Sequence, residues 1–141
     1  MTLTDLFDFI MAADTSGLDS DRAAAIAIIR STIGTRMYPD ILDEGATLPA
    51  LTYQLISNNG GHSLDAQTDG LYFARVQIDV WAKTAVARGN LGLAVKQALD
   101  GFTRIMIGTD VCALLWDNEL DSFEPDRKQY RRMIDFRIIH N

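Results

Sequence analysis

The sequence holds one cysteine, three prolines, two histidines and fewer basic than acidic residues. Each shortage removes a class of answers. A lone Cys112 cannot close an internal disulfide, which fits a reducing compartment. His62 and His140 fall short of the three or four converging ligands a metal site needs, and neither an HExxH nor a CxxC pair occurs. The serines form no G-x-S-x-G elbow, and the glycines match neither a dinucleotide fingerprint nor a phosphate loop. A formal net charge of −6 argues against a tight grip on a phosphate backbone. No apolar run approaches the length of a membrane span. The opening MTLTDLFDFIMAAD carries acids but no Lys or Arg, so it suits neither a secretory signal nor a transit peptide. Synthesis in the cytoplasm without targeting is the expectation.

What remains is a soluble chain of 141 residues, 48% hydrophobic and 23% charged, long enough for one domain with a real core. Leu3, Leu6, Phe7, Ile10 and Met11 recur at helical spacing, and Thr4 suits the cap. The turn-rich DTSGLDSD follows, so residues 1–18 read as an N-terminal extension and 19–141 as a single domain. A helix is expected over about 20–33, capped by Asp19 or Ser20 and stopped by Gly34. Its AAAIAII centre is apolar around most of its girth, which suits deep burial or a second contact with a neighbouring subunit.

Residues 35–49 read as a connection punctuated by Pro39, Gly45 and Pro49, then ALTYQLIS as a strand over 50–57. Residues 58–70 form a long polar loop, a length at which loops are often functional. LYFARVQIDVWAKT alternates with period two, its even positions apolar, and leads into a helix capped by Thr84 and stopped by Gly101. Gly89 and Gly92 weaken that helix and mark either a close contact or a late start.

The last third reads as a hairpin. Cys112, Leu114, Trp116 and Leu120 share one strand face; Tyr130, Ile134, Phe136 and Ile138 share one on the partner. Without a bulge, bringing both apolar faces to one side requires an odd number of residues in the loop, where FEPDR supplies a turn. The fold class is therefore α+β: a mainly antiparallel sheet of about four strands packed against helices.

On that hairpin Asp117, Glu119 and Asp121 alternate along one face, with Arg131, Asp135 and Arg137 outward on the partner strand. Carboxylates crowded by counter-charges suit a salt-bridged face better than catalysis. The run RKQYRR, containing Arg131 and Arg132, is the strongest basic patch, but Glu124 and Asp126 precede it. A mixed-charge face can also meet a copy of itself, and head-to-tail contacts close into rings. Asp117, Glu119, Asp121, Arg131, Arg132 and Arg137 are thus the candidate interface residues. A small enzyme or ligand site using Asp79, Arg75 and His62 is the rival.

The segments RMYPDILDEGATLPALTYQLIS, ARVQIDVWAKT, the helix end ALDGF and the close LDSFEPDRKQYRRMIDFRIIHN resemble the tail-completion, or tail-terminator, proteins of long-tailed bacteriophages and related gene-transfer particles. The resemblance covers about Arg36–Asn141 by order and spacing. It implies a sheet-and-helix virion protein, not an enzyme and without a cofactor. It implies a homo-oligomeric ring, usually a hexamer, on the head-proximal end of the tail tube. Such a ring stops tube polymerisation, docks the head's connector or stopper proteins, and lets DNA pass through its lumen without specific binding. No membrane partner is implied. A connector or stopper of the neck is the alternative role.

Overall fold

Alternation along residues 72–82 builds the middle of the molecule. Ala74, Val76, Ile78, Val80 and Ala82 are buried on one side, while Arg75 and Phe73 point out on the other. The computed structural model describes residues 8–12, 14–60, 72–103, 105–106 and 109–140, with side chains at all of these except 105–106 and 109–112. In chain order the elements are α1 (Ser20–Ile33), β1 (Met37–Pro39), β2 (Ala50–Gly60), β3 (Tyr72–Ala82), α2 (Ala85–Leu99), β4 (Ile105–Met106), β5 (Thr109–Glu124) and β6 (Gln129–His140). A helical segment at residues 8–11 precedes α1.

The sheet runs in the order β1-β2-β3-β6-β5-β4, antiparallel except where β1 lies parallel to β2. The fold is α+β, as the alternation of strands and helices predicts. The four long strands are those expected; β1 and β4 are additional short edges. The three-residue β1 ends on Pro39, inside a stretch rich in turn residues, so no period was there to see. β2 extends to Gly60, past the expected end at 57. The remainder of the 58–70 loop, with His62, lies outside the described residues, as do the helix cap at Thr4 and the burial of Cys112.

Local chemistry sets both helix ends. The Asp19 carboxylate accepts the Arg22 N–H at 2.8 Å to start α1. Gly34, at φ +60°, ends it by donating to the Arg30 carbonyl at 3.0 Å. Thr84 Oγ1 accepts the Ala87 N–H at 3.1 Å to start α2. Beyond its last turn Gly101, at φ +79°, donates to the Leu114 carbonyl at 2.7 Å and ties the helix end to β5.

One buried cluster joins both helices to the even face of β3. It includes Ile26, Ile29 and Ile33 of α1, Leu91, Val95 and Leu99 of α2, and Leu114, Ile134, Phe136 and Ile138 of the hairpin. Phe9 and Ile10 belong to it too: the Phe9 ring lies 4.6 Å from Phe102, and Arg30 Nε donates to the Ile10 carbonyl at 2.8 Å. A smaller cluster of Leu42, Leu48, Ala50 and Trp81 lies on the opposite side of the sheet, where the 40–49 connection folds over it. α1 buries only one side. Ala24 and Ala27 are exposed and Ile28 is 48% exposed, so burial within its own domain does not account for the apolar girth.

The hairpin departs from bulge-free pairing. Trp116 faces Phe136, but Asn118 faces Asp135, leaving Asp117 as an extra residue. The shift lets a four-residue turn, 125–128, close the hairpin in place of an odd loop. It also turns Leu120 away from Leu114 and Trp116, and Leu120 is 59% exposed.

Ile29→Ala is expected to destabilise the protein by about 2–5 kcal/mol, as large-to-small changes in a packed core do. Ile28→Ser, one position away on the open side, is expected to stay within about 0.5 kcal/mol. Urea unfolding of both variants measures the contrast.

Candidate functional site

The bulge at Asp117 divides the candidate charges between two faces. Residues directly opposite in an antiparallel pair share a face. Glu119 therefore shares Ile134's helix-facing side, and Asp121 that of Arg132. Asp117 is left on the far side with Arg137, at 2.9 Å. The expectation that all three acids share one face is thus corrected; Arg131, Asp135 and Arg137 do share the outer face.

On the helix side, Arg132 Nε and Nη2 grip Asp121 at 2.6 and 3.1 Å. Arg88 and Lys96 of α2 complete the group, Arg88 3.5 Å from Asp121 and Lys96 3.4 Å from Glu119. Gly92 makes room for it. A Cβ there would stand 2.9 Å from Arg132 Cδ and 3.1 Å from its Nη1. Gly89 meets nothing comparable. Of the two helix glycines, Gly92 is the close contact, and the guanidinium it seats belongs to the hairpin.

On the outer side, Arg131 Nη2 reaches Asp79 Oδ2 at 2.6 Å, and Gln77 Nε2 donates to Asp79 Oδ1 at 2.8 Å. The Asp79 side chain is only 6% exposed, so Arg131 compensates a buried charge. Arg131 also lies 4.8 Å from the Trp81 ring centre, and Trp81 Nε1 donates to Thr52 Oγ1 at 3.1 Å. Arg75 pairs with Asp135 at 3.5 Å. A cavity of about 490 Å³ opens above Asp79, Trp81 and Arg131, between residues 40–42 and the hairpin turn.

Of the trio Asp79, Arg75 and His62, Asp79 pairs with Arg131 and Arg75 with Asp135, while His62 lies outside the described residues. His140 is buried and stacks on Tyr72 at 5.4 Å. Among the described residues no group of three or more His, Cys, Asp or Glu could hold a metal ion. Within the basic run, Arg131 and Arg132 project to opposite faces, each held by an aspartate. The patch is therefore divided. The roles of Arg88 and Lys96 escaped sequence reading because α2 is distant in sequence. The one available signal was a glycine in mid-helix.

The Arg132 hydrogen bonds hold the Asp121 carboxyl below its ordinary value, against a smaller opposing effect of burial, with Arg88 adding to the lowering. The same contact raises Arg132.

These faces, built of paired charges over a stiff sheet, suit contacts between proteins. A family model described as Tail completion protein gp17 matches residues 21–141. The chain belongs to that family, and so is a bacteriophage tail structural protein. A search of curated proteins finds no match. Among solved structures, the chain is similar to one from the "virion of native gene transfer agent (GTA) particle". The TM-score is 0.61 at 16% identity, covering 92% of this chain and 98% of that one. At that identity the likeness shows a shared fold.

Two predictions follow from the charge geometry. Arg131→Glu is expected to cost the monomer about 3–5 kcal/mol, because it strands the buried Asp79 carboxylate beside a second acid. Arg137, 65% exposed, is expected to tolerate Arg137→Glu within about 1 kcal/mol. Thermal unfolding of the two variants measures this difference. For Asp121, a carboxyl lowered in the folded state stabilises at pH values above its unfolded value of 3.8, and that support is lost as pH falls through the lower folded value. Its side chain is 41% exposed, so screening limits the effect to under about 1 kcal/mol. Asp121→Asn should lower stability at pH 7 and flatten its fall in acid, measured by urea unfolding across pH.

Proposed function

We propose that this protein forms a ring on the head-proximal end of the tail tube, stops tube polymerisation there and presents the surface on which the head's neck proteins dock. Membership of the tail completion family over residues 21–141 is the observation that carries this reading. The structure supplies what such a part requires. A capping subunit must match the tube on one side and offer something different on the other. It does this with a rigid scaffold that holds loops and faces in place.

The helix-backed sheet is that scaffold, and its two sides differ in chemistry. One is covered by α1 and α2; the other, among the described residues, is covered only in part by the 40–49 connection and carries charge pairs. The exposed apolar arc of α1, Ala24, Ala27 and Ile28, suits a neighbouring subunit or a neck protein. Asp117 and Arg137 sit on the bare side as rim charges that set register and partner choice. Glu119, Asp121 and Arg132 chiefly lock the hairpin to α2, while Arg131 stabilises the fold. The partners in this reading are further copies of the chain, the tail tube protein and a connector or stopper. DNA passes through the lumen without specific binding. Within residues 1–18, Phe9 and Ile10 pack into the domain's own core.

Removing this gene product from its phage is expected to leave filled heads alongside overlong tails of irregular length that fail to join. Electron microscopy of the lysate is the measurement. Normal, joined particles in its absence would refute the assignment.

A further inference from the structure

The two borders of the sheet are each left half open. β1 pairs with β2 only along Leu51–Tyr53, so among the described residues Gln54–Gly60 has no strand on its outer side. At the other border β4 pairs with β5 only at Thr109 and Asp110, and a single bridge joins Phe102 to Leu114. The Asp100 carboxylate takes the Trp116 N–H at 2.9 Å, and the Arg88 guanidinium reaches the Ser122 carbonyl at 3.2 Å. Between Asp117 and Glu124, β5 has no strand neighbour beyond β6 among the described residues. Unpaired borders of this kind are templates for another strand.

We propose that the open border of β5 in one copy pairs with the open border of β2 in the next, so that one sheet runs around the ring. This deepens the ring reading above and rests on it. Three features of the fold favour a second copy as the occupant. The first is direction. β2, β3, β6 and β5 alternate up and down, so β5 meets the β2 of a like-oriented neighbour antiparallel and the ladder continues unbroken. The contact is head to tail, the kind that closes a ring when its rotation closes.

The second is stagger. Gln54 lies in the same row as Asn118, through Gln77 and Asp135, so the two open stretches lie toward opposite ends of the strands. Joining them displaces each neighbour along the strands by about five to six residues, roughly 19 Å at ~3.4 Å per residue. The four long strands span roughly 19 Å at ~4.8 Å spacing. That displacement corresponds to a strand tilt of about 45°, at the upper end of the roughly 35–45° that closed barrels require.

The third is curvature. Both open stretches adjoin a bulge, between Leu55 and Ser57 on β2 and between Trp116 and Asn118 on β5. Bulges bend a sheet and are the usual device for closing one. The helices then take the convex outside, where there is more room, and the bare sheet face lines the lumen. The arginines described on that face, Arg75, Arg131 and Arg137, are each held by an aspartate, so they offer passing phosphates little free charge.

Cysteine cross-linking tests the seam. In a Cys112→Ala background, Asn59→Cys, on the outer face of β2, is combined in turn with Asn118→Cys, Leu120→Cys or Ser122→Cys, on the outer face of β5, to sample neighbouring registers. Within one chain these positions lie on opposite borders of the sheet, beyond the reach of a disulfide. Oxidation of rings on tail tubes is expected to give at least one pair a covalent ladder rising from dimer to full ring. Its dimer band should exceed that of the single-cysteine chains at least tenfold. Rings of unchanged mass with no ladder from any pair overturn the seam and leave the ring reading standing. If the Cys112→Ala parent sits on tubes only as a monomer, the ring reading fails and the seam with it.

Discussion

Burial of one face of β3, and of one face only, is the constraint on which the rest depends. From Tyr72 to Trp81 each residue of β3 is opposed on both flanks, by β2 and by β6, so its alternation fixes which side of three strands is dry. A slip of one residue on the β6 flank would place Val76 opposite Asp135 or Arg137 in place of Phe136. With the dry side set, α1 and α2 have one surface to cover. The wet side is left to Arg75, Gln77 and Asp79, and to the charges they recruit from β6.

Against that regular centre, the bulges are where the molecule departs from a simple meander. The one at Asp117 hands Glu119 and Asp121 to the helices and leaves Asp117 on the bare face. A single extra residue thus converts a stripe of acids into two separate sets of ion pairs. One set anchors a hairpin to a helix; the other marks the far surface. Gly92 is the counterpart of that rearrangement, since the Arg132 side chain lies where a Cβ would project.

Much of the architecture was legible because it rests on local rules. Thr84, Gly34 and Gly101 mark helix ends for reasons of backbone geometry, and the alternation at 72–82 has no competing period. What escaped depends on contacts distant in sequence. β1 is three residues beside a proline, and it exists because Leu51 lies alongside Met37. The bulge leaves no trace in composition, so parity counted from Leu114 misassigned Leu120, Glu119 and Asp121. Arg131 read as one surface charge among several. Its partner, Asp79, lies on another strand and is buried partly by the 40–49 connection, which the sequence showed only as turns. The charged residues are visible in the sequence as a group, but their division into structural and exposed members rests on the register.

The position of β6 between β3 and β5 bears on how the chain comes to be folded. Every other named element precedes it in the chain, yet it lies inside the sheet, between β3 and β5. Until β6 emerges, β3 presents a naked flank, and the place of Phe136 under the helices stands empty. A nascent chain therefore holds sticky, strand-ready surface from the completion of β3 until β6 follows. The architecture snaps shut only on arrival of the final hairpin, so a half-made subunit has no finished sheet with which to join a growing particle.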